Sequence, residues 1–265
     1  MCKLSIVTIN YNNLCGLKKT YKSIASQSFH DYEWIVVDGG STDGSEKFIR
    51  EHRSETAWWC SEKDGGIYNA QNKGITHAQG EYVLFLNSGD SLLSSDTIEN
   101  IFSVASDADV IYGDWVERKK YSLKKRCHSP NAVNYYYFAT RPICHQASFI
   151  RTSLLKQSPY DESYRICADW AKWVELSNQG YKFQHIPINV CFYMRDGISY
   201  HAVKQKRQEY KRILNEFYPS ELAEVMWAQS NRIRQRLKII QRLIWLASTL
   251  LLTLIFLLVW IVIAA

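Results

Sequence analysis

The first ninety residues predict an α/β fold, a parallel sheet with crossover helices, and the rest of the chain adds a basic helical connector and one apolar carboxyl-terminal helix. Three observations carry this reading. Short apolar runs alternate with helical patterns up to about residue 90. Asn, Asp, Gly and Ser follow each apolar run, and no charged residue occurs between positions 243 and 265. At 265 residues, 46% hydrophobic and 22% charged, the chain suffices for one catalytic domain with a buried core and does not resemble a disordered polymer.

In order, LSIVTI opens the sheet, a helix follows over 17–26, and EWIVVD makes the second strand. A helix over 45–52, a short strand over 57–60, a further helix and the strand EYVLFLN continue the βα series. A helix over 92–102 comes next. From 109 to about 195 the pattern is less regular, with a strand at 110–112, an aromatic loop at 135–138 and a helix over 169–179. Residues 1–200 read as the catalytic domain, divided into halves 1–108 and 109–200. Residues 201–242 read as an amphipathic basic connector broken by Pro219.

Residues 243–265 exceed the roughly 20 apolar residues that span a hydrocarbon core. Arg232, Arg234, Arg236, Lys238 and Arg242 precede them and, under the positive-inside rule, hold that flank in the cytoplasm. The apolar run after Met1 is too short for a secretory leader. The expected location is the inner membrane, with a single-pass carboxyl-terminal anchor and a cytoplasmic catalytic domain. The seven cysteines show no CxxC pair and read as reduced packing residues. The net charge of +6 lies mostly after residue 200, which argues against a nucleic-acid footprint.

Polar groups gathered at the carboxyl edge of an open α/β sheet mark its ligand site. In VVDGGSTDGS, Asp38 ends a buried strand and Gly39 and Gly40 let a ligand approach the backbone, or the segment is an ordinary turn into a helix. In SEKDGGIYNAQNKGI, Asp64 lies in a turn leading to a helix with Asn69, Asn72 and Lys73, where Lys73 either neutralises a diphosphate or decorates a capped surface helix. In EYVLFLNSGD, Asn87 and Asp90 offer hard oxygen ligands for Mg²⁺ or Mn²⁺, or Asp90 caps the next helix. Asp169 heads an apparent helix, where a first-turn carboxylate also favours the helix dipole. GxGxxG is absent, which disfavours a dinucleotide-binding oxidoreductase.

Taken together in this order, the segments from about residue 3 to 200 resemble family 2 glycosyltransferases of the GT-A fold. INYNN, with Asn10 and Tyr11, is similar to the opening nucleotide-binding strand, VVDGGSTDGS to the uracil-contacting turn, and NSGD stands where the family carries its metal-binding DxD. The departure is that positions 87 and 89 are Asn and Gly, with the acid at Asp90. SEKDGGIYNAQNKGI with FLNSGD resembles the bacterial exopolysaccharide branch, including enzymes of the colanic-acid type. PICHQASFI and YDESYRICADWAKW resemble the acceptor half, where His145 and Gln146 match positions near the donor phosphates and acceptor. The DGIS at 196–199 stands where the family has GG before a late Ser.

The resemblance implies a Rossmann-like mixed sheet flanked by helices and an inverting, hexosyltransferase-type reaction. Donor-binding roles fall to Asn10, Tyr11, Asp38, Gly39, Asp64, Asn72 and Lys73, metal binding to Asp90 with Asn87, and the catalytic base to Asp169. The expected partners are a nucleotide-sugar, with UDP as its nucleotide, a divalent metal, and a lipid-linked (polyprenyl diphosphate) saccharide acceptor at the membrane in surface polysaccharide synthesis. The alternative is a non-catalytic nucleotide-sugar-binding or scaffolding subunit of a membrane polysaccharide complex.

Overall fold

A computed structural model of the chain describes residues 2–118, 125–194, 197 and 202–264. By contacts the chain divides into two units, Met1–Ile213 and Leu214–Ala265, and every candidate site residue lies in the first.

In that unit, β1 (Leu4–Asn10), β2 (Tyr32–Asp38), β3 (Trp58–Ser61) and β4 (Tyr82–Phe85) run parallel, joined through α1 (Leu14–Ala25), α2 (Ser45–Glu51) and α3 (Ile67–His77). The register sets Asn10 beside Asp38 and Asp38 beside Ser61, so three polar strand ends meet at one edge. β1 and β2 are buried on both faces, as their continuous Val/Ile runs require. α1 buries Leu17, Thr20 and Ile24 on one sheet face. α3 packs on β1 so closely that a Cβ at Gly74 would lie 2.4 Å from Val7 Cγ1, which makes glycine at 74 a packing requirement.

Then follow β5 (Ser91–Leu92), α4 (Thr97–Val104), β6 (Val110–Arg118), β7 (Lys125–Cys127), α5 (Tyr135–Phe138), β8 (Ser148–Arg151), α6 (Thr152–Gln157), α7 (Ala168–Asn178), β9 (Phe183–Met194) and α8 (Val203–Phe217). Among the described residues the strand order is β3-β2-β1-β4-β8-β6-β9-β5, with β7 on β6. β8 runs antiparallel to both β4 and β6, so the sheet is mixed.

Three local expectations change. Residues 91–92 form a strand and α4 starts only at Thr97 with Asp96 as its N-cap residue, so Asp90 is not a helix cap. Residues 135–138 are helical because the Asn134 side chain accepts a hydrogen bond from the Tyr137 N–H at 2.9 Å. β6 extends to Arg118 and pairs with the long β9, which carries Pro187 at a register shift where its missing N–H costs no ladder bond. Of the DGIS loop, Asp196, Ile198 and Ser199 lie outside the described residues.

The second unit contains α9 (Ser220–Ala264), which starts after Pro219 and runs without a break through the expected connector boundary at 242. Its described side chains mix exposed Arg232, Arg236 and Arg242 with exposed Ile233, Leu237, Ile240 and Leu243. Most side chains of 243–265 lie outside the described residues. Among the described residues no helix is long and apolar enough to cross a membrane. The single-pass anchor, and the inner-membrane location derived from it, are therefore corrected.

Candidate functional site

The carboxyl ends of β1, β2 and β3 build the first part of the site. Asp38 is fully buried and accepts hydrogen bonds from Asn10 Nδ2 at 2.6 Å, the Ser41 hydroxyl at 2.6 Å, the Ser41 N–H at 2.9 Å and the Ser61 hydroxyl at 2.6 Å. Its oxygens are engaged within the chain, and the carboxylate orders the turn. The group beside that turn is Asp64, whose Oδ2 would lie 2.7 Å from a Cβ at Gly39, with Tyr11 Cδ2 at 3.2 Å. Only glycine at 39 leaves that corner open to a ligand. Tyr11 is 67% exposed and turns its ring to solvent at the same corner.

Asn72 and Lys73 do not join this group. Asn72 Nδ2 donates to the Tyr160 carbonyl and to Glu162 Oε1, both at 2.9 Å, and its Oδ1 accepts from the Tyr160 N–H. Lys73 Nζ donates to Glu62 Oε1 at 2.6 Å, and that bond raises its pKa. The helix face carrying these two residues braces the segment after α6 and the strand edge.

A cleft of about 870 Å³ opens beside the turn after β4. α1 fixes this turn: Thr20 Oγ1 accepts from the Gly89 N–H at 3.0 Å and donates to the Asp90 carbonyl at 2.6 Å, while Lys19 Nζ donates to the Gly89 carbonyl at 2.7 Å. Gly89 has φ +104, a conformation costly for any residue with a side chain, which gives a physical reason for the acid standing at 90 rather than 89. Asp90 is 5% exposed; its Oδ1 accepts from the Met194 N–H at 3.0 Å and its Oδ2 from Gln146 Nε2 at 3.1 Å. Burial outweighs these bonds and pushes its pKa up to about 6.

Asn87 Oδ1 is buried with no hydrogen-bond partner, three residues from the Asp90 carboxyl. Both are hard oxygen donors of the kind Mg²⁺ and Mn²⁺ accept, so the orphaned oxygen fits a divalent cation. Among the described residues no group of three His, Cys, Asp or Glu side chains is placed to hold a metal ion. The chain supplies a partial ligand set, which a diphosphate and water would complete.

On the far wall, Asp169 stands in the first turn of α7 and is 17% exposed at its side chain. Its Oδ2 faces His145 Nδ1 at 3.1 Å, and its Oδ1 accepts from the Tyr68 hydroxyl and from the Trp170 N–H, each at 2.9 Å. Burial opposes ionisation, but the His145, Tyr68 and Trp170 contacts win, and the carboxyl is held below its ordinary value. His145 Nε2 lies 3.4 Å from Asn87 Nδ2, so one imidazole stands between the Asp169 carboxylate and the Asn87 side chain. Asp90, Asn87, Gln146, His145 and Asp169 thus share one cleft.

Sequence reasoning missed Tyr68, Lys19 and Thr20. Tyr68 lies inside SEKDGGIYNAQNKGI, but its partner is 101 positions away, and no local pattern announces that contact.

Comparison with known proteins matches residues 5–171 to the family described as "Glycosyl transferase family 2". An uncharacterized glycosyltransferase of Mycobacterium tuberculosis is 33% identical over 171 residues, 63% of this chain and 65% of that protein. A "PGL/p-HBAD biosynthesis glycosyltransferase" of Mycobacterium bovis is 34% identical over 173 residues, 63% of this chain and 66% of that protein. The match thus spans under two thirds of either relative. Among solved structures, S. aureus TarS 1–349 in complex with UDP-GlcNAc superposes with a TM-score of 0.65 at 17% identity, covering 86% of this chain and 71% of that one. A mannosyltransferase from Pyrobaculum calidifontis in complex with GDP-Man and Mn²⁺ gives 0.63 at 17%, covering 86% and 69%. At that identity the likeness is one of fold.

Proposed function

Because the chain belongs to glycosyl transferase family 2, we propose that it transfers a sugar from a nucleotide-sugar donor to an acceptor hydroxyl with inversion. The observation that carries this reading is an ionised carboxylate, Asp169, on one wall of the cleft that also holds Asn87 and Asp90.

Tyr11 and Asp64 meet the nucleobase and ribose, while Asn10 and Asp38 hold the turn that exposes them. Asn87 and Asp90 would hold Mg²⁺ or Mn²⁺, which when bound would neutralise charge on the departing diphosphate. Asp169 takes the proton from the acceptor hydroxyl as that oxygen attacks the anomeric carbon. His145 Nδ1–H and the Tyr68 hydroxyl keep the carboxylate ionised and aimed. Gln146 orients the Asp90 carboxyl. Attack on the face opposite the leaving group needs no covalent intermediate.

UDP is the proposed nucleotide, on the likeness of VVDGGSTDGS to a uracil-contacting turn. A lipid-linked saccharide acceptor in surface polysaccharide synthesis, on the colanic-acid-type branch, is a finer reading. It is supported by SEKDGGIYNAQNKGI and FLNSGD alone, since the anchor no longer argues for it. A non-catalytic donor-binding subunit is the competing reading, favoured by the partial metal ligand set. An ionised carboxylate held by three donors beside that set argues against it.

The test is to incubate the protein with Mn²⁺ and a panel of UDP- and GDP-sugars and to measure nucleotide release. One donor is expected to be hydrolysed slowly, with release stopped by a chelator. Binding without release for every donor would favour the non-catalytic reading.

A further inference from the structure

On α8, Glu209, Tyr210, Ile213 and Leu214 are all buried, so a carboxylate lies on the apolar face of an amphipathic helix. Such a group is costly to bury unless its oxygens are hydrogen-bonded. Glu209 Oε1 accepts from the Arg165 N–H at 2.9 Å and from Gln205 Nε2 at 3.1 Å. Its Oε2 accepts from the Ile166 and Cys167 N–H groups, both at 2.9 Å.

Those three N–H groups lead directly into α7. Cys167 is the N-cap residue of that helix and makes no side-chain cap bond, so the polar contact that fixes where the helix begins comes from α8. The Cys167 N–H and the Ile166 carbonyl belong to one planar peptide. Glu209 holds its N–H, while the Tyr68 hydroxyl lies 2.8 Å from its carbonyl and 2.9 Å from Asp169 Oδ1. Glu209 thus reaches Asp169 through one peptide and one hydroxyl. Beside it, Tyr210 stacks on Trp170, the residue after Asp169, at 4.9 Å and 17°.

We propose that Glu209 is a positioning residue for the base: by holding the N–H groups of residues 165–167 it sets where α7 begins and keeps Asp169 against Tyr68 and His145. This rests on the role of Asp169 in the glycosyltransferase reading above, and it extends the machinery to α8.

Glu209→Gln in the full chain tests it. The amide accepts through one oxygen only, and its NH₂ would face N–H donors. Aspartate is isotope-labelled and its carboxyl carbon followed by NMR against pH, with the Asp169 signal identified by its loss in Asp169→Asn. The titratable groups around Asp169 are His145, Tyr68, Tyr160 and Cys167, and the substitution leaves all four in the chain. In the wild type Asp169 is expected to titrate below the ordinary aspartate value of about 3.9. In Glu209→Gln the carboxyl keeps its burial but loses its fixed donors, so it should titrate at about 3.9 or above. Removing the Glu209 charge could by itself only lower the Asp169 value, so a rise reports lost position. Glu209→Asp, with the same charge on a shorter stem, should shift it the same way by less. Nucleotide release from the UDP- or GDP-sugar that the wild type hydrolyses fastest should fall about 10- to 100-fold in Glu209→Gln, as a displacement of about 1 Å can cause. The proposal is overturned if Asp169 titrates as in the wild type, or lower, in variants that have merely lost thermal stability. A wild type that hydrolyses no donor, with the Asp169 titration still raised by Glu209→Gln, would instead sink the transferase reading and leave the positioning contact standing.

Discussion

Asp169→Asn is expected to slow transfer by about 10²–10⁴-fold, the usual contribution of a positioned general base, while donor affinity stays near wild type. The amide keeps the shape of the carboxylate and can still accept from the Tyr68 hydroxyl and the Trp170 N–H at Oδ1. It cannot take a proton. The stability cost should be about 1 kcal/mol, because the bond to His145 changes character: the imidazole can switch tautomer to accept from the new amide, and the Asn87 amide must then rotate to accept from its Nε2–H. Since the folded pKa of Asp169 is depressed, its ionised form contributes stability above the ordinary carboxylate pKa, and that contribution is lost as pH falls through the lower folded value. Initial transfer rates with calorimetric donor binding check both halves. Near wild-type transfer by this variant would remove Asp169 from the role of base.

Asp90→Asn should move activity and stability in opposite directions. Metal-dependent turnover is expected to fall about a hundredfold, since the proposed carboxylate ligand is lost. The protein itself should become more stable at neutral pH. Burial raises the Asp90 pKa from 3.8 to about 6, so the charged form is disfavoured in the fold, and by linkage this costs about 3 kcal/mol at pH 7. A neutral isostere escapes that cost, and Gln146 can rotate its amide to meet it. The sign follows from the raised folded value: stabilisation by the substitution should be full above about pH 6 and vanish below about pH 4, where the wild-type carboxyl is already neutral. Thermal unfolding against pH, with and without Mn²⁺, reads this directly. The wild type should gain stability from Mn²⁺ and lose that gain as pH falls through about 6, and the variant should gain none.

The sheet and its crossover helices were legible because β1, β2 and β4 are buried runs bounded by polar turns, and period and composition suffice for such strands. β9 was not. Pro187 interrupts its alternation of His185 and Asn189 with Ile186, Ile188 and Val190, and pairing with β6 and β5 makes it a strand. At the site, Asp90, Asn87, His145, Gln146 and Asp169 do share a cleft, and Tyr11, Asp64 and Gly39 form a corner at the sheet edge. Asn72 and Lys73 read as donor ligands because helix spacing says which residues lie near a loop but not which way they turn; Glu62 and Tyr160 take them. The carboxyl-terminal run illustrates the opposite limit, in which apolar composition alone suggested a membrane span that the described helix does not support.

A crystal structure of the protein with UDP and Mn²⁺ tests the central claim most directly. The expected result is uridine at the corner of Tyr11, Gly39 and Asp64, a cation contacted by Asn87 and Asp90, and the diphosphate directed toward the wall that carries Asp169. Nucleotide bound away from this cleft, or a cation held by other residues while Asp90 stays turned toward Met194 and Gln146, would contradict it.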